Sequence, residues 1–219
     1  MPADSPIVSA IVVLHGVSAA DERFVALRRT AAQQGGATEQ YYGEEKPWSQ
    51  WRPVVEGVPQ PLIWVIQWPK VLPTGFDKAG FREAVNALDA NGAAESYSTP
   101  FDNAALPRPS LTAPTTEFGF LVIDPARLSD PVIVKAAEKT FTDCYDAPDG
   151  GFSGGHWGQG TSHDPTHDRL FTYYMGFESL EACTKYSKTE LYALELITLK
   201  PATKNAWAIW TVLERASDI

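Results

Sequence analysis

Runs of Ile, Val and aromatic residues alternate along the chain with stretches whose apolar positions fall three and four apart. Residues 7–17 (IVSAIVVLHGV) are β-branched and apolar with no Pro or Gly before Gly16, which predicts a buried strand. Ser18, with Asp21 three residues on, predicts a helix start; Phe24, Leu27 and Ala31 form its apolar face, and Gly35-Gly36 stops it. Residues 37–44 predict a second strand, 45–61 a Pro- and Trp-containing loop, and 62–68 (LIWVIQW) a third strand. Phe81, Val85 and Leu88 share one helical face. Asn91-Gly92 ends that helix, and residues 95–101 predict a short fourth strand.

Residues 102–116 are rich in Pro, Ala and Thr, have no periodicity and read as a linker. The same order of elements then recurs. A strand is predicted over 117–124, and a helix that Ser129 opens and that runs to about Cys144. A Gly-rich strand over 150–160, a loop over 163–168 and a strand over 170–177 follow, then helix for most of 178–199 and a final strand over 206–214. The pattern is βαββαβ twice. It predicts a first ferredoxin-like repeat at 1–104, a linker at 105–116 and a second repeat at 117–219. The fold class is α+β. Each antiparallel sheet carries helices on one face and needs cover on the other, which packing the two sheets face to face as an intramolecular barrel supplies.

Composition narrows the function classes. The chain has 219 residues, 44% of them hydrophobic, enough for a substantial core. Lys and Arg number 18 against 27 Asp and Glu, a net charge of -9, which argues against nucleic acid or an anionic membrane as partner. Cys144 and Cys183 make no disulfide framework or zinc motif and read as reduced packing residues. The N-terminal sequence matches neither a signal peptide nor a membrane span, so the expected location is cytoplasmic.

The pattern GATEQYYGEE after a capped helix, then LIWVIQWP, with the looser echoes GGHWGQG and RLFTYYMGFES, resembles the dimeric α+β barrel superfamily, particularly its antibiotic-biosynthesis-monooxygenase-like branch. Phe177-Glu178-Ser179 is similar to the W-x-S that ends the third strand there; the first half departs, having Trp68-Pro69-Lys70. The resemblance covers both halves. It implies a small enzyme acting on an aromatic or polyketide-like compound, and transfers no catalytic residue.

Candidate chemistry concentrates in residues 150–177, which hold His156, His163 and His167 among several aromatics. His156 follows Gly154-Gly155, where a ligand has room to approach the backbone, and histidine suits proton transfer near neutrality. His15 ends the first strand on the face of Ile11 and Val13 and is a second candidate. Tyr173 and Tyr174 face opposite sides of one strand; they align with Trp64 and Val65 of the first half, and either phenol is a candidate for substrate contact. Trp157, Trp64, Tyr41, Asp124 and Phe171 are expected to line the substrate pocket, with Asp124 alternatively serving a helix-entry turn. His163 and His167 are spaced as zinc ligands on a helix, but Pro165 places them in a loop, so a polar lid or surface loop is expected and no metal. No nucleotide-binding or nucleophile-elbow motif is present, and no cofactor is expected.

Since the polar groups gather in the second half, the active pocket is expected there. The leading expectation is a cofactor-independent cyclase or isomerase of secondary metabolism acting on a hydrophobic polyketide- or terpenoid-derived intermediate. A cofactor-independent monooxygenase on an electron-rich aromatic substrate is the alternative, and a non-catalytic binding or stress-response barrel a further one. The expected partner is a hydrophobic small molecule, and the chain is a monomeric pseudo-dimer or a homodimer.

Overall fold

The computed structural model describes residues 5–47, 59–146, 151–165 and 168–217; most of the 45–61 loop, Gly150 and His167 lie outside the described residues. The first half runs β1 (Ile7–Leu14), α1 (Glu22–Gln33), β2 (Glu39–Glu44), β3 (Leu62–Pro69), α2 (Lys78–Leu88) and β4 (Glu95–Phe101). A short α3 (Arg108–Leu111) leads to the second half: β5 (Thr115–Ile123), α4 (Pro131–Asp146), β6 (Phe152–Ser162), β7 (Leu170–Phe177), α5 (Leu180–Tyr186), α6 (Glu190–Leu199) and β8 (Thr203–Thr211). A two-residue β9 (Glu214–Arg215) follows.

The predicted elements form, with local corrections. Asp21, not Ser18, caps α1, accepting from the Arg23 N–H; Ser18 contributes only its carbonyl, to the Asp21 N–H. Asp130 rather than Ser129 accepts from the first turn of α4, at Val132 N. The expected single helix over 178–199 is two, because Ser187 closes α5 and Thr189 caps α6.

The strands run in the order β8-β5-β7-β6-β4-β1-β3-β2-β9, so each half has its own four-stranded ferredoxin-like sheet. The halves are joined along edges as well as facing one another. β4 pairs with β6 through Tyr97↔Ser162 and Ser98↔Thr161. At the opposite edges β9 pairs with β2, and Glu45 bridges to Thr211 beside β8. Joining edges satisfies backbone groups that two separate sheets would leave open. The result is an α+β barrel within one chain.

Alternation along the strands divides the apolar residues. Ile11, Val65, Phe118, Phe120 and Tyr174 fill the barrel interior. Trp64 packs under the first-half helices and Tyr173 under the second, so Trp64 pairs with Tyr173 and Val65 with Tyr174 as the alternation predicts.

The predicted linker is partly structural. Ser110 and Leu111 of α3 are buried, and β5 starts at Thr115, two residues before the expected strand. Gly154 of β6 and Gly176 of β7 make room for this segment. Gly154 has φ +109°, and a Cβ there would lie 3.1 Å from Cβ of Pro109; one on Gly176 would lie 2.8 Å from Cβ of Ala113. Cys144 and Cys183 are buried and unbridged. Among the described residues, no helix is long and apolar enough to cross a membrane.

Candidate functional site

Most of the residues singled out in the sequence are structural. Tyr173 is buried and donates its hydroxyl to the Ala137 carbonyl at 3.0 Å. Tyr174 is fully buried inside the barrel, edge-on to Phe101 and Phe118, its hydroxyl 3.4 Å from the Ser9 carbonyl. Burial pushes both phenols well above the ordinary tyrosine range. Phe171 is fully buried beneath the second-half helices, with Trp157 packed edge-on to it. Trp64 is buried against Phe24 and donates Nε1–H to Gln40. Tyr41 donates to Glu39 at 2.8 Å, and Glu39 also receives Arg108 and Arg215, each at 3.0 Å. This ion-pair cluster ties α3 and β9 to β2.

His15 does not enter the barrel. Its Nδ1 lies 3.1 Å from the buried carboxylate of Asp89, which also accepts the His15 N–H at 2.7 Å, pinning the β1–α1 turn to the end of α2. Asp124 caps a short 3-10 turn at Ala126 N and lies 3.6 Å from Lys204 Nζ, the helix-entry role. His156 is half-buried against Phe101 and Phe141 and has no hydrogen-bond partner among the described residues. Burial lowers its pKa, partly opposed by Asp102.

The structure brings different residues together. A crevice of about 340 Å³ runs between α2 and the helix-facing side of β1, β3, β4 and the end of β6, a volume suited to a small molecule. Its floor is Val8, Ala10 and Val12 of β1, successive residues on one face of the strand. The strand register orients it. Val8 lies opposite Trp68 and Val12 opposite Ser96, so the Trp68 and Ser96 ends stand about 13 Å apart along the strand.

The Trp68 end has aromatic walls. Trp68, Phe76 and Phe81 sit with ring centroids 5.5–5.6 Å apart, a surface for a flat ring. The Ser96 end carries His163, for which the sequence predicts a surface loop or lid. Its Nδ1 lies 2.9 Å from the Ser96 backbone nitrogen, across the seam between halves. Nδ1 also lies 3.2 Å from the Ser96 carbonyl oxygen, so the Ser96 backbone meets it with both a donor and an acceptor, and which of them it uses depends on the tautomer. His163 lines this crevice and also a cleft at the barrel end. The crevice also receives Lys70, Lys78 and Arg82, and no carboxylate lines it among the described residues.

The second half has no equivalent space at this position because larger side chains occupy it. With the halves aligned on Trp64 and Tyr173, the opposed pair Ala10–Ser98 corresponds to Glu117–Trp210. Trp210 packs in the second-half core and donates to the Cys183 thiol at 3.3 Å, while the thiol donates to Glu117 at 2.8 Å. The crevice thus lies in the first half, with His163 supplied by the second, whereas the sequence placed the pocket wholly in the second. The overlooked signal is the row of small residues Ala94, Ser96 and Ser98 on one face of β4, opposite a helix with Lys78 and Arg82 one turn apart.

A second cleft of about 480 Å³ opens at the barrel end beside Glu95, Tyr97, Asp164 and Trp207. There Tyr97 donates to Glu95 at 2.8 Å and its ring packs on Phe120 and Trp207, so these groups serve one another. No cluster of three His, Cys, Asp or Glu residues fit to hold a metal occurs among the described residues.

No protein-family profile and no curated protein sequence matches the chain. Solved structures do. An anthrone oxidase-like protein superimposes with a TM-score of 0.59 at 8% identity, over 100% of this chain and 97% of its own. A monooxygenase candidate from Lactobacillus acidophilus NCFM gives 0.54 at 13% identity, over 97% and 96%. A third, from Fusobacterium nucleatum, gives 0.51 at 7% identity, over 100% and 96%. At these identities the likeness is one of fold. The chain shares with these structures the fold of a tandem ferredoxin-like α+β barrel.

Proposed function

We propose that the crevice oxygenates a flat, electron-rich aromatic compound, with the substrate itself supplying the electrons. The observation that carries this reading is the Ser96–His163 contact. It holds the His163 ring at one end of an aromatic-walled crevice that no carboxylate lines among the described residues. A hydroxyaromatic or enolisable ketone seated against Trp68, Phe76 and Phe81 would place its oxygen at the far end. There a hydrogen bond from the His163 imidazole would favour the phenolate or enolate form. Such an anion is electron-rich enough to meet O₂. For a ring methylene the balance is CH₂ + O₂ → C=O + H₂O, with both electron pairs drawn from the substrate.

The same enolate leads to cyclisation or isomerisation if a carbon is reprotonated, the outcome the sequence alone favoured. That route needs a group that takes a proton and returns it to another carbon. No carboxylate lines the crevice for this among the described residues, and His163 Nδ1 is engaged with the Ser96 backbone. The neighbours named for monooxygenase and anthrone oxidase chemistry agree with oxygenation.

The experiment is turnover of anthrone in an oxygen-electrode cell. Consumption of one O₂ per anthraquinone formed, abolished under argon, is the expected result. Turnover of an enolisable ketone without O₂ uptake would replace oxygenation by isomerisation. Saturable binding with no product from any hydroxyaromatic would leave a carrier instead.

A further inference from the structure

The crevice is electrically polarised, and this deepens the proposed reading, on which it rests. Lys70 follows β3 directly, Lys78 opens α2 and Arg82 lies one turn further, so all three belong to the Trp68 side. All are exposed, and none has an ion-pair partner among the described residues. Like charges one turn apart on a helix repel each other. In a chain with nine more acidic than basic residues, a lining with three cations and no carboxylate reverses the overall sign. Among the described residues the lining at the opposite end has no Lys or Arg and includes Ser96, Thr161 and His163.

We infer that the substrate is an elongated hydrophobic anion, an aromatic carboxylate. Its carboxylate sits among Lys70, Lys78 and Arg82, its rings lie on Trp68, Phe76 and Phe81, and its reacting oxygen reaches His163. Arg82 offers planar paired donors for the carboxylate, and the two lysines add point charges. The register sets the ligand's length. About 13 Å separates the two ends, which spans two or three fused rings with a substituent at each. The carboxylate fixes the direction of binding, so the oxygen-bearing ring always arrives at the histidine end.

The test measures binding of anthracene-2-carboxylate and of its neutral isostere anthracene-2-carboxamide by calorimetry, to the full chain and to the exposed-site triple variant Lys70→Gln/Lys78→Gln/Arg82→Gln. The wild type is expected to bind the carboxylate at least tenfold more tightly, with the preference shrinking as salt rises. The triple variant is expected to bind both equally while keeping its affinity for the amide. Equal affinity of the wild type for both probes, or a preference surviving in the variant, would overturn the anionic substrate and leave the crevice standing as an aromatic site. Binding of neither probe would overturn the anionic substrate together with the crevice reading itself.

Discussion

Trp210 is the second-half counterpart of Ser98: it lies opposite Glu117 on β5 as Ser98 lies opposite Ala10 on β1. One copy of the duplicated fold fills the layer between sheet and helices, and the other leaves it open. Filling the first copy in the same way should close it. Ser98→Trp is expected to abolish calorimetric binding of anthracene-2-carboxylate while leaving the melting temperature within a few degrees. Undiminished binding in a folded variant would place the ligand elsewhere.

The histidines separate by location. His163 lines the crevice and His156 packs between Phe101 and Phe141 away from it. Removing a hydrogen-bond donor to a developing oxyanion typically costs about 10²–10³ in kcat. His163→Ala should therefore lower kcat on anthrone by about that factor, whereas His156→Ala should keep kcat within about threefold. The reverse ranking would move the chemistry to the second half.

Tyr173→Phe tests whether that phenol is structural. Its hydroxyl is committed to the Ala137 carbonyl in a buried layer. Losing this bond should cost about 1 kcal/mol, or roughly 2–4 °C in melting temperature, with no change in kcat. A loss of turnover without a loss of stability would restore Tyr173 as a substrate contact.

Glu117 makes stability depend on pH. Burial raises its pKa from 4.5 to about 7, although the Cys183 thiol and Trp210 oppose the shift. Between these values the folded protein holds a proton that the unfolded chain has released, so stability falls as pH rises through this range. The contribution is fully present below about 4.5, is lost by slightly above 7, and amounts to roughly 3 kcal/mol at one pKa unit per 1.36 kcal/mol. Urea unfolding at pH 5 and pH 8 should show that difference in the wild type and much less of it in Glu117→Gln. Equal pH dependence in the two proteins would assign it to other groups.

The sequence by itself determined the two βαββαβ repeats and which residues share one face of a strand, but not which face meets the helices. Both are local properties, because alternation and helical spacing follow from the geometry of a single element. The pairing of Trp64 with Tyr173 and of Val65 with Tyr174 came from that alternation alone. The run Gly154-Gly155 was misread because a glycine requirement is legible along the chain while the group that approaches it, here Pro109, is distant. Only the tertiary structure decided the site. Ser96 and His163 are 67 residues apart and meet because β4 of one half pairs with β6 of the other. The crevice exists because two small residues, Ala10 and Ser98, come to lie opposite each other beneath a helix. An empty space is a property of what several segments fail to fill together, and no single stretch of the chain records it.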